Sequence, residues 1–339
     1  MVNQYDTIFA KDISVIYDMY DNVYPIPIER SIEQYTPISA DGIQNLLNDA
    51  NERVMPIIWT AISQNFTTSN IYSICYGNGK FVAVGSSGKM GYSADGINWA
   101  AIPQDFVTSD INSICYGNGT FVAGGDKGKM VYSADGKDWK AISPNFTSND
   151  IQSICYGNEK FVAMGYSKMG YSADGINWTA IPQDFAGGDP IYSVCYGNGK
   201  FVAGGGGGIM GHSTDGINWT AIPQDFIPHS IDSICYGNGK FIASGYGGKM
   251  AYSADGTTWA AIPQSFTKSS VYSICYGNGK FVAGDGNGNI AYSADGINWT
   301  AIPQKFTPTS INTICYGNGK FVAVGYKNKM AYSQTGLAL

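Results

Sequence analysis

The spacing of the cysteines constrains the fold of this chain more than any other feature of its sequence. The cysteines lie at 40-residue intervals, at Cys75, Cys115, Cys155, Cys195, Cys235, Cys275 and Cys315. The residues around them repeat as well, and residues 271–306, VYSICYGNGKFVAGDGNGNIAYSADGINWTAIPQKF, represent the unit. Internal repeats of this length are typical of solenoids and β-propellers.

Each repeat contains four short apolar segments, which we interpret as β-strands A to D. In the first repeat they cover residues 71–76, 80–84, 89–92 and 98–102. Glycine, asparagine and aspartate lie between them, and these residues adopt the positive φ values that tight hairpins need. Nothing in the unit has the 3.6-residue apolar spacing of a helix. Four antiparallel strands in about 40 residues match one propeller blade.

The tryptophans indicate how the ring is closed. Trp59 precedes the first cysteine and no tryptophan follows Cys315, so the last repeat lacks its own strand D. Residues 57–62, IIWTAI, can supply that strand from the other end of the chain. We therefore predict an all-β fold, a seven-bladed propeller over residues 57–339 in which an N-terminal strand closes the last blade and leaves no open sheet edge.

The turn between strands C and D carries a recurring motif, SADGINW in residues 93–99. It resembles the Asp-box of sialidase-type propellers, with one residue fewer between aspartate and tryptophan. The resemblance implies that serine and aspartate bind the turn backbone and that the aromatic ring packs beneath. Thr335 replaces the aspartate in the split seventh copy. Because the motif occurs in every continuous blade, we interpret its residues as structural. They are Asp95, Trp99, Asp135, Trp139, Asp174, Trp178, Asp215, Trp219, Asp255, Trp259, Asp295 and Trp299, with Trp59 in the closing strand.

The charge is distributed unevenly along the chain. The net charge is −6, and residues 1–56 hold three basic residues against nine acidic ones, so the predicted propeller is neutral. A neutral ring with an acidic arm lacks the basic surface that binds nucleic acid. No run of 18 apolar residues and no signal-peptide pattern occurs, so we expect no membrane insertion and synthesis in the cytosol.

The cysteines invite a redox or metal interpretation, which their context disfavours. An odd number of thiols at equivalent positions cannot pair completely, and no CxxC or Cys/His arrangement accompanies them. We interpret them as small buried hydrophobic residues on the innermost strands. We predict no metal site and no cofactor.

The first 56 residues differ in composition from the repeats. They are rich in tyrosine and proline, and Ser39 or Asp41 can cap a helix over about residues 41–54 with Ile43 and Leu47 on its apolar face. Such an arm either packs on the ring or docks it to a larger assembly. We favour docking, because a ring that closes itself needs no further stabilisation.

Candidate catalytic residues are lacking. The sialidase mechanism needs an arginine triad, but Arg30 and Arg53 both lie in the arm, and Glu159 is the one glutamate after residue 56. A glycosidase needs two carboxylates at a set separation, whereas most propeller aspartates are turn copies. Asp285 begins a segment like a calcium loop, which we interpret as a hairpin. His212 replaces a repeated tyrosine, and we expect it to be packed or solvent-facing. We predict that the chain is not an enzyme.

The repeats differ mainly in the B–C turns, the D–A loops and the second position of strand A, all at one rim of the predicted ring. One interpretation is relaxed drift on a solvent surface; the other is a binding face suited to sugars or a protein partner. The predicted rim residues are Tyr72, Asp126, Lys127, Tyr166, Tyr192, His229, Tyr246, Tyr272 and Tyr326.

The repeated YGNGKFVAVG and SADGINWT segments are similar to those of propellers in bacterial and phage tail and appendage proteins. This resemblance implies a virion or tail-like-particle component released by lysis. Residues 1–56 would attach to other particle proteins, and the variable rim would contact a bacterial surface glycan or another particle protein. The alternatives are a purely structural decoration or baseplate subunit and a free cytosolic lectin-like module.

Overall fold

The computed structural model describes residues 57–334, except residues 65, 105–106, 144–145, 167, 183–184, 264 and 304–308. Within these residues the chain forms seven antiparallel sheets of four strands each, so the predicted seven-bladed propeller is confirmed. No helix in this part of the chain is long and apolar enough to cross a membrane. The predicted arm, with its helix at residues 41–54, lies outside the described residues.

The strands follow one another blade by blade. The closing strand is β1 (Ile58–Ile62). Blade 1 contains β2 (Ile71–Gly77), β3 (Lys80–Gly85), β4 (Met90–Ser93) and β5 (Ala100–Ala101). Blade 2 contains β6 (Ile111–Gly117), β7 (Thr120–Gly125), β8 (Met130–Ser133) and β9 (Lys140–Ile142). Blade 3 contains β10 (Ile151–Gly157), β11 (Lys160–Gly165), β12 (Met169–Ser172) and β13 (Thr179–Ile181). Blade 4 contains β14 (Ile191–Gly197), β15 (Lys200–Gly205), β16 (Met210–Ser213) and β17 (Thr220–Ala221).

The remaining blades repeat this order. Blade 5 contains β18 (Ile231–Gly237), β19 (Lys240–Gly245), β20 (Met250–Ser253) and β21 (Ala260–Ala261). Blade 6 contains β22 (Val271–Gly277), β23 (Lys280–Asp285), β24 (Ile290–Ser293) and β25 (Thr300–Ile302). Blade 7 contains β26 (Ile311–Gly317), β27 (Lys320–Gly325) and β28 (Met330–Gln334). Short 3-10 turns join strands B and C at Ser86–Gly88, Asp126–Gly128, Tyr246–Gly248 and Tyr326–Asn328.

The last blade takes its outer strand from the N-terminal side of the ring. Strand β1 pairs antiparallel with β28, with Ile58 opposite Gln334 and Ile62 opposite Met330. Trp59 of this strand is buried against Val282 and Phe321 of blades 6 and 7. The predicted closure by residues 57–62 is therefore confirmed, and it gives the sheet of blade 7 its fourth strand.

The hydrophobic core lies between neighbouring blades. Val82 and Val84 of β3 pack against Ile114 and Phe121 of blade 2 in one buried cluster, and equivalent clusters occur between the other blades. Strand B is buried on both faces, because the blades on either side pack against it. Complete burial of one phenylalanine stabilises the fold by about 1.5 to 3 kcal/mol. Each blade thus depends on the two beside it.

The A strands of neighbouring blades contact one another, as the innermost strands of a propeller do. Ser73 accepts a hydrogen bond from the amide of Ile114 in the next blade at 3.3 Å. Tyr116 lies over Gly77, where a β-carbon would collide with the ring, so a glycine is required there. These contacts explain the invariant glycine of the repeat and the serine that is replaced only by Thr313 in the last blade.

The cysteines lie on these innermost strands but are half-buried, not fully buried as predicted. Each cysteine packs against the core cluster between its own blade and the next blade. Cys75, for example, packs against the cluster that contains Ile114. Burial raises the pKa of the thiols, to about 12 for Cys115, Cys195 and Cys275. The described residues contain no group of three histidine, cysteine or acidic side chains that could hold a metal ion.

Strand D is shorter than predicted. Residues 98–102 were expected to be extended, whereas β5 contains only Ala100–Ala101. The amides of Ile97 and Asn98 donate to the carboxylate of Asp95, each at 2.8 Å. The turn therefore includes Asn98, which the sequence pattern assigned to strand D.

We predict that ring closure depends on residues 57–62. A chain starting at Ile57 should unfold at the same denaturant concentration as the full chain. A chain starting at Ser63 should lose at least about 3 kcal/mol of stability, because it removes buried Trp59 and exposes the edge of β28. Equilibrium urea unfolding measures both. Equal stability of the two truncated chains would contradict this closure.

We also predict that the native thiols react slowly. At about pH 8 a thiol of pKa about 12 is ionised in roughly one molecule in ten thousand, and the thiolate is the reactive form. Iodoacetamide should label the folded chain far more slowly than the chain in concentrated guanidinium chloride, where all seven cysteines become accessible. Mass spectrometry counts the labels. Fast labelling of any cysteine in the folded chain would show that its thiol is solvated.

Candidate functional site

The ring has two rims of different character. We call the A–B turns and the C–D turns the constant rim. The variable rim consists of the B–C turns, the D–A loops and the second residue of each strand A. On the constant rim, the Asn78 side-chain amide of blade 1 donates to the Ala134 carbonyl of blade 2 at 3.4 Å. Asn158, Asn198, Asn238 and Asn318 make the same contact to the following blade. The constant rim is therefore a repeated set of links between blades.

The motif aspartates are all used by their own turns. Asp95 accepts hydrogen bonds from Ser93 at 2.9 Å and from the Asn98 side chain at 2.7 Å, besides the two backbone amides. The Trp99 indole donates to the Gly96 carbonyl at 3.2 Å. Equivalent bonds to the serine and to two backbone amides hold Asp135, Asp174, Asp215, Asp255 and Asp295. These hydrogen bonds lower the pKa of the carboxyls despite their partial burial, to about 2 for Asp174 and Asp295.

The motif tryptophans pack beneath these turns against phenylalanines of the D–A loops. Trp99 stacks on Phe66 with ring centroids 5.6 Å apart, and Trp219 stacks on Phe185 at 5.3 Å. Trp178, Trp259 and Trp299 have similar partners. Trp139 is buried and packs 6.3 Å from Phe121. These residues connect the constant rim with the D–A loops through the core.

Two further candidates serve local packing. The Asp285 carboxylate is buried and accepts hydrogen bonds from Thr267, from the amides of Asn287 and Asn289, and from the Asn289 side chain at 2.6 Å. This is the hairpin that the sequence suggested. Burial lowers the pKa of His212, whose Nδ1 atom is buried without a hydrogen-bond partner. Its charged form is therefore disfavoured in the fold.

Exposed aromatic side chains are concentrated on the variable rim. Among the described residues, six large apolar side chains are exposed, and four are tyrosines of this rim. These are Tyr166 (42% exposed), Tyr246 (55%), Tyr272 (43%) and Tyr326 (44%). The other two are Ile58 on the closing strand and Ile176 on the constant rim. Solvent-exposed aromatic rings are common at sites of recognition.

On one side of the variable rim, side chains link each B–C turn to the next D–A loop. The amides of Ser87 and Lys127 donate to Asp110 and Asp150 at 2.8 Å, and the amide of Lys327 donates to Asn70 at 2.9 Å. We call these three contacts the clasps. They bridge blades 1 and 2, 2 and 3, and 7 and 1.

Besides Lys127, two predicted rim residues take part in this clasped side. Tyr72 is half-buried; its hydroxyl donates to Asp110 at 3.1 Å and accepts from Ser86 at 2.8 Å. Asp126 accepts from the Asn112 side chain at 3.2 Å. Sequence reasoning missed Asp110, Asp150 and Asn70. The available signal was an asparagine or aspartate immediately before strand A, a position that faces the positive-φ residue of a B–C turn.

The side formed by blades 3 to 6 has a different composition. The positions equivalent to the clasp residues are Pro190, Ser230, Ser270 and Ser310, which carry no carboxyl or amide. Here His229 packs edge-on against Tyr246, with ring centroids 4.7 Å apart. Tyr272 lies near Gly286 of its own blade. In blade 7, the Lys327 ammonium lies 5.6 Å from the Tyr326 ring.

The structure brings some predicted rim residues together and separates others. Tyr192 interacts electrostatically with Tyr166, Asp232 and Asp189, which add to the effect of burial in raising its pKa. His229 and Tyr246 form a second group next to it. Tyr72, Asp126 and Lys127 lie on the clasped side, and Tyr272 and Tyr326 belong to blades 6 and 7. Asp189 and Asp232 were not among the predicted residues.

Comparison with known proteins identifies the fold alone. No protein-family model and no curated protein sequence matches the chain. The solved structure of YCF48 bound to D1 peptide is 17% identical, with 82% of this chain and 95% of that chain covered and a TM-score of 0.66. The WD40 propeller domain of Doa1 is 12% identical, with 81% and 95% covered and a TM-score of 0.62. A catalytically inactive virginiamycin B lyase from Staphylococcus aureus with quinupristin is 10% identical, with 82% and 99% covered and a TM-score of 0.73.

One of these propellers is bound to a peptide and another is a lyase. At identities of 10 to 17%, their common architecture does not transfer any one of those activities to this chain.

We predict that the motif aspartates stabilise the fold and that other acidic residues of the same turns do not. Asp135→Ala removes the acceptor of Ser133 and of two amides and should cost about 1 to 2 kcal/mol. Asp138→Ala in the same turn should change stability by less than about 0.5 kcal/mol, since its side chain is exposed. Urea unfolding at neutral pH measures both.

The Asp135 carboxylate also makes the stability of the fold depend on pH. The folded state lowers the Asp135 pKa from its ordinary value of 3.8, chiefly through the amides of Asp138 and Lys137. Its contribution is therefore complete above that pH and is lost as the pH falls below it. The difference between Asp135→Ala and the unmodified chain should shrink as the pH falls below 3.8. A difference that grows on acidification would contradict this assignment.

Proposed function

We propose that the chain is a non-enzymatic binding propeller that contacts its partner through the variable rim. The exposed tyrosines carry the proposal, since four of the six exposed large apolar residues lie on this one rim. Tyrosine rings stack on sugar or peptide surfaces, while their hydroxyls and the neighbouring amides and carboxylates form hydrogen bonds.

The absence of catalysis is supported by how the acidic side chains are used. A hydrolase needs a carboxyl that exchanges protons near neutral pH, which requires a raised pKa or a solvated pair. The motif carboxyls have lowered pKa values and are bound by their turns. The constant rim therefore offers structural carboxylates in place of an acid–base pair.

We further propose that the protein is a component of a phage tail or tail-like particle. The resemblance of its repeats to tail and appendage propellers supports this role. In this proposal residues 1–56 attach to other particle proteins, and the rim contacts a bacterial surface glycan or another particle protein. Synthesis in the cytosol and release by lysis follow from the same assignment. A baseplate subunit that makes only protein contacts and a free lectin-like module are the competing roles.

Replacing the exposed tyrosines tests the binding rim. A variant with Tyr166→Ser, Tyr246→Ser, Tyr272→Ser and Tyr326→Ser should fold normally but lose at least about tenfold in affinity for the partner. The matched control carries Ile58→Ser and Ile176→Ser, which remove the exposed apolar residues elsewhere. Its affinity should equal that of the unmodified chain.

The measurements are an array of bacterial surface polysaccharides and co-purification with a defined tail-like particle. Polysaccharide binding lost only in the tyrosine variant supports glycan recognition. Particle binding without polysaccharide binding supports a structural subunit. If both variants bind like the unmodified chain, the variable rim is not the binding surface.

A further inference from the structure

The variable rim has a gap at blade 4. The B–C turn of this blade begins with Gly206, Gly207 and Gly208, which have no side chains, and ends with the half-buried Ile209. The turns on either side carry Tyr166 in blade 3 and Tyr246 in blade 5, both exposed. An opening therefore lies between two aromatic side chains. We call it the notch and define it by these three glycines and two tyrosines.

Backbone contacts place the residues of the notch next to one another. Tyr166 forms a β-bridge with Pro190, and the Gly206 amide donates to the Pro190 carbonyl at 2.8 Å. Gly206 in turn bridges to Ser230, whose carbonyl accepts from the Tyr246 amide at 3.1 Å. A continuous set of strand-like contacts thus joins the three turns across the gap. The flanking tyrosines are held in defined positions on the rim.

Two carboxylates lie beside the notch. A β-carbon on Gly207 would lie 3.4 Å from the Asp189 Oδ2 atom, in ordinary contact. Asp232 and Tyr192 are both the second residue of an innermost strand, on the neighbouring strands β18 and β14. Strands β14 and β18 contact each other, so Tyr192 and Asp232 lie at the same edge of neighbouring innermost strands, beside the loop that carries Asp189.

Blade 4 lacks the positive charge that most blades carry immediately before strand C. It has Ile209 where other blades have Lys89, Lys129, Lys168, Lys249 and Lys329. Lys168 and Lys249 of the flanking blades lie in the turns that precede β12 and β20. Asp232 accepts from Ser230, and burial raises the pKa of its carboxyl. The notch therefore has acidic groups and aromatic rings beside it, and blade 4 lacks the lysine that most blades carry.

We propose that the notch binds an arginine side chain of a basic segment in a protein partner. The planar guanidinium would lie against the tyrosine rings and donate to Asp189 and Asp232. Charge complementarity favours this occupant over a neutral glycan. The inference rests on the proposed use of the variable rim for binding. It specifies which chemical group of the partner binds at the notch.

The probe is a fluorescently labelled peptide, acetyl-Gly-Arg-Gly-Arg-Gly-amide, added to the full chain. Its citrulline counterpart keeps the shape and removes the charge. We expect the arginine peptide to bind, the citrulline peptide to bind at least about tenfold more weakly, and the affinity to fall with added salt. Fluorescence anisotropy measures both peptides.

Matched variants locate the site. Asp189→Asn and Asp232→Asn should each weaken binding about tenfold, whereas Asp225→Asn removes an equal charge at an exposed position of the next D–A loop and should have no effect. Gly207→Lys should place a cation in the notch and abolish binding. The equivalent residue of blade 2, Lys127, already adopts φ 55°, so the turn accepts lysine. Ser87→Lys in blade 1, at the equivalent exposed position of a clasped turn with φ 54°, is the control.

Each outcome decides the inference. Equal binding of the two peptides, or equal loss with Asp225→Asn and Asp232→Asn, overturns the notch as an arginine site. No measurable binding of the arginine peptide overturns it as well. If the four-tyrosine variant still loses its partner in that case, the binding rim stands and only the arginine assignment fails. If the peptide binds the notch while the four-tyrosine variant keeps its partner, the notch stands and the proposed function fails.

Discussion

Burial of strand B between two neighbouring blades is the interaction on which the rest of this structure depends. Phe81, Phe121 and their equivalents are completely buried only while the blade beside them is in place. A gap anywhere in the ring would expose the apolar faces of two blades. The chain prevents this by pairing β1 with β28, which joins its first described strand to its last. Closure by hydrogen bonds and Trp59 therefore protects every core cluster.

The two rims respond differently to this requirement. On the constant rim, asparagine side chains reach the next blade and aspartates organise their own turns, so a substitution there weakens contacts between or within blades. On the variable rim, backbone bonds such as that from Ser86 to Asn70 hold the loops without a specific side chain. Side chains are consequently free to differ. Clasps occupy part of this rim, and exposed tyrosines and carboxylates occupy another part.

Most of the architecture was predictable because each repeat contains its own strands and turns. The 40-residue spacing and the position of Trp59 give the number of blades and the closing strand. Strand D was predicted too long because Asp95 captures the amides of Ile97 and Asn98, and an apolar pattern does not include hydrogen bonds to side chains. The cysteines were predicted as buried, but their innermost strands leave them partly exposed.

The variable rim was predictable as a region but not as a set of partners. Differences between repeats located Tyr166, Tyr192 and Tyr246 on one rim, whereas Asp110, Asp189 and Asp232 were not on the list of predicted rim residues. Asp110, for example, contacts Ser87 and Tyr72, which lie 23 and 38 positions earlier in the previous blade, and such contacts depend on how the blades are placed around the ring. The sequence by itself determined the number of blades, their strands and the turn chemistry, because these are local and repeated. Tertiary structure alone decided which loops are clasped and which enclose an open notch, because neighbouring blades supply the opposing groups.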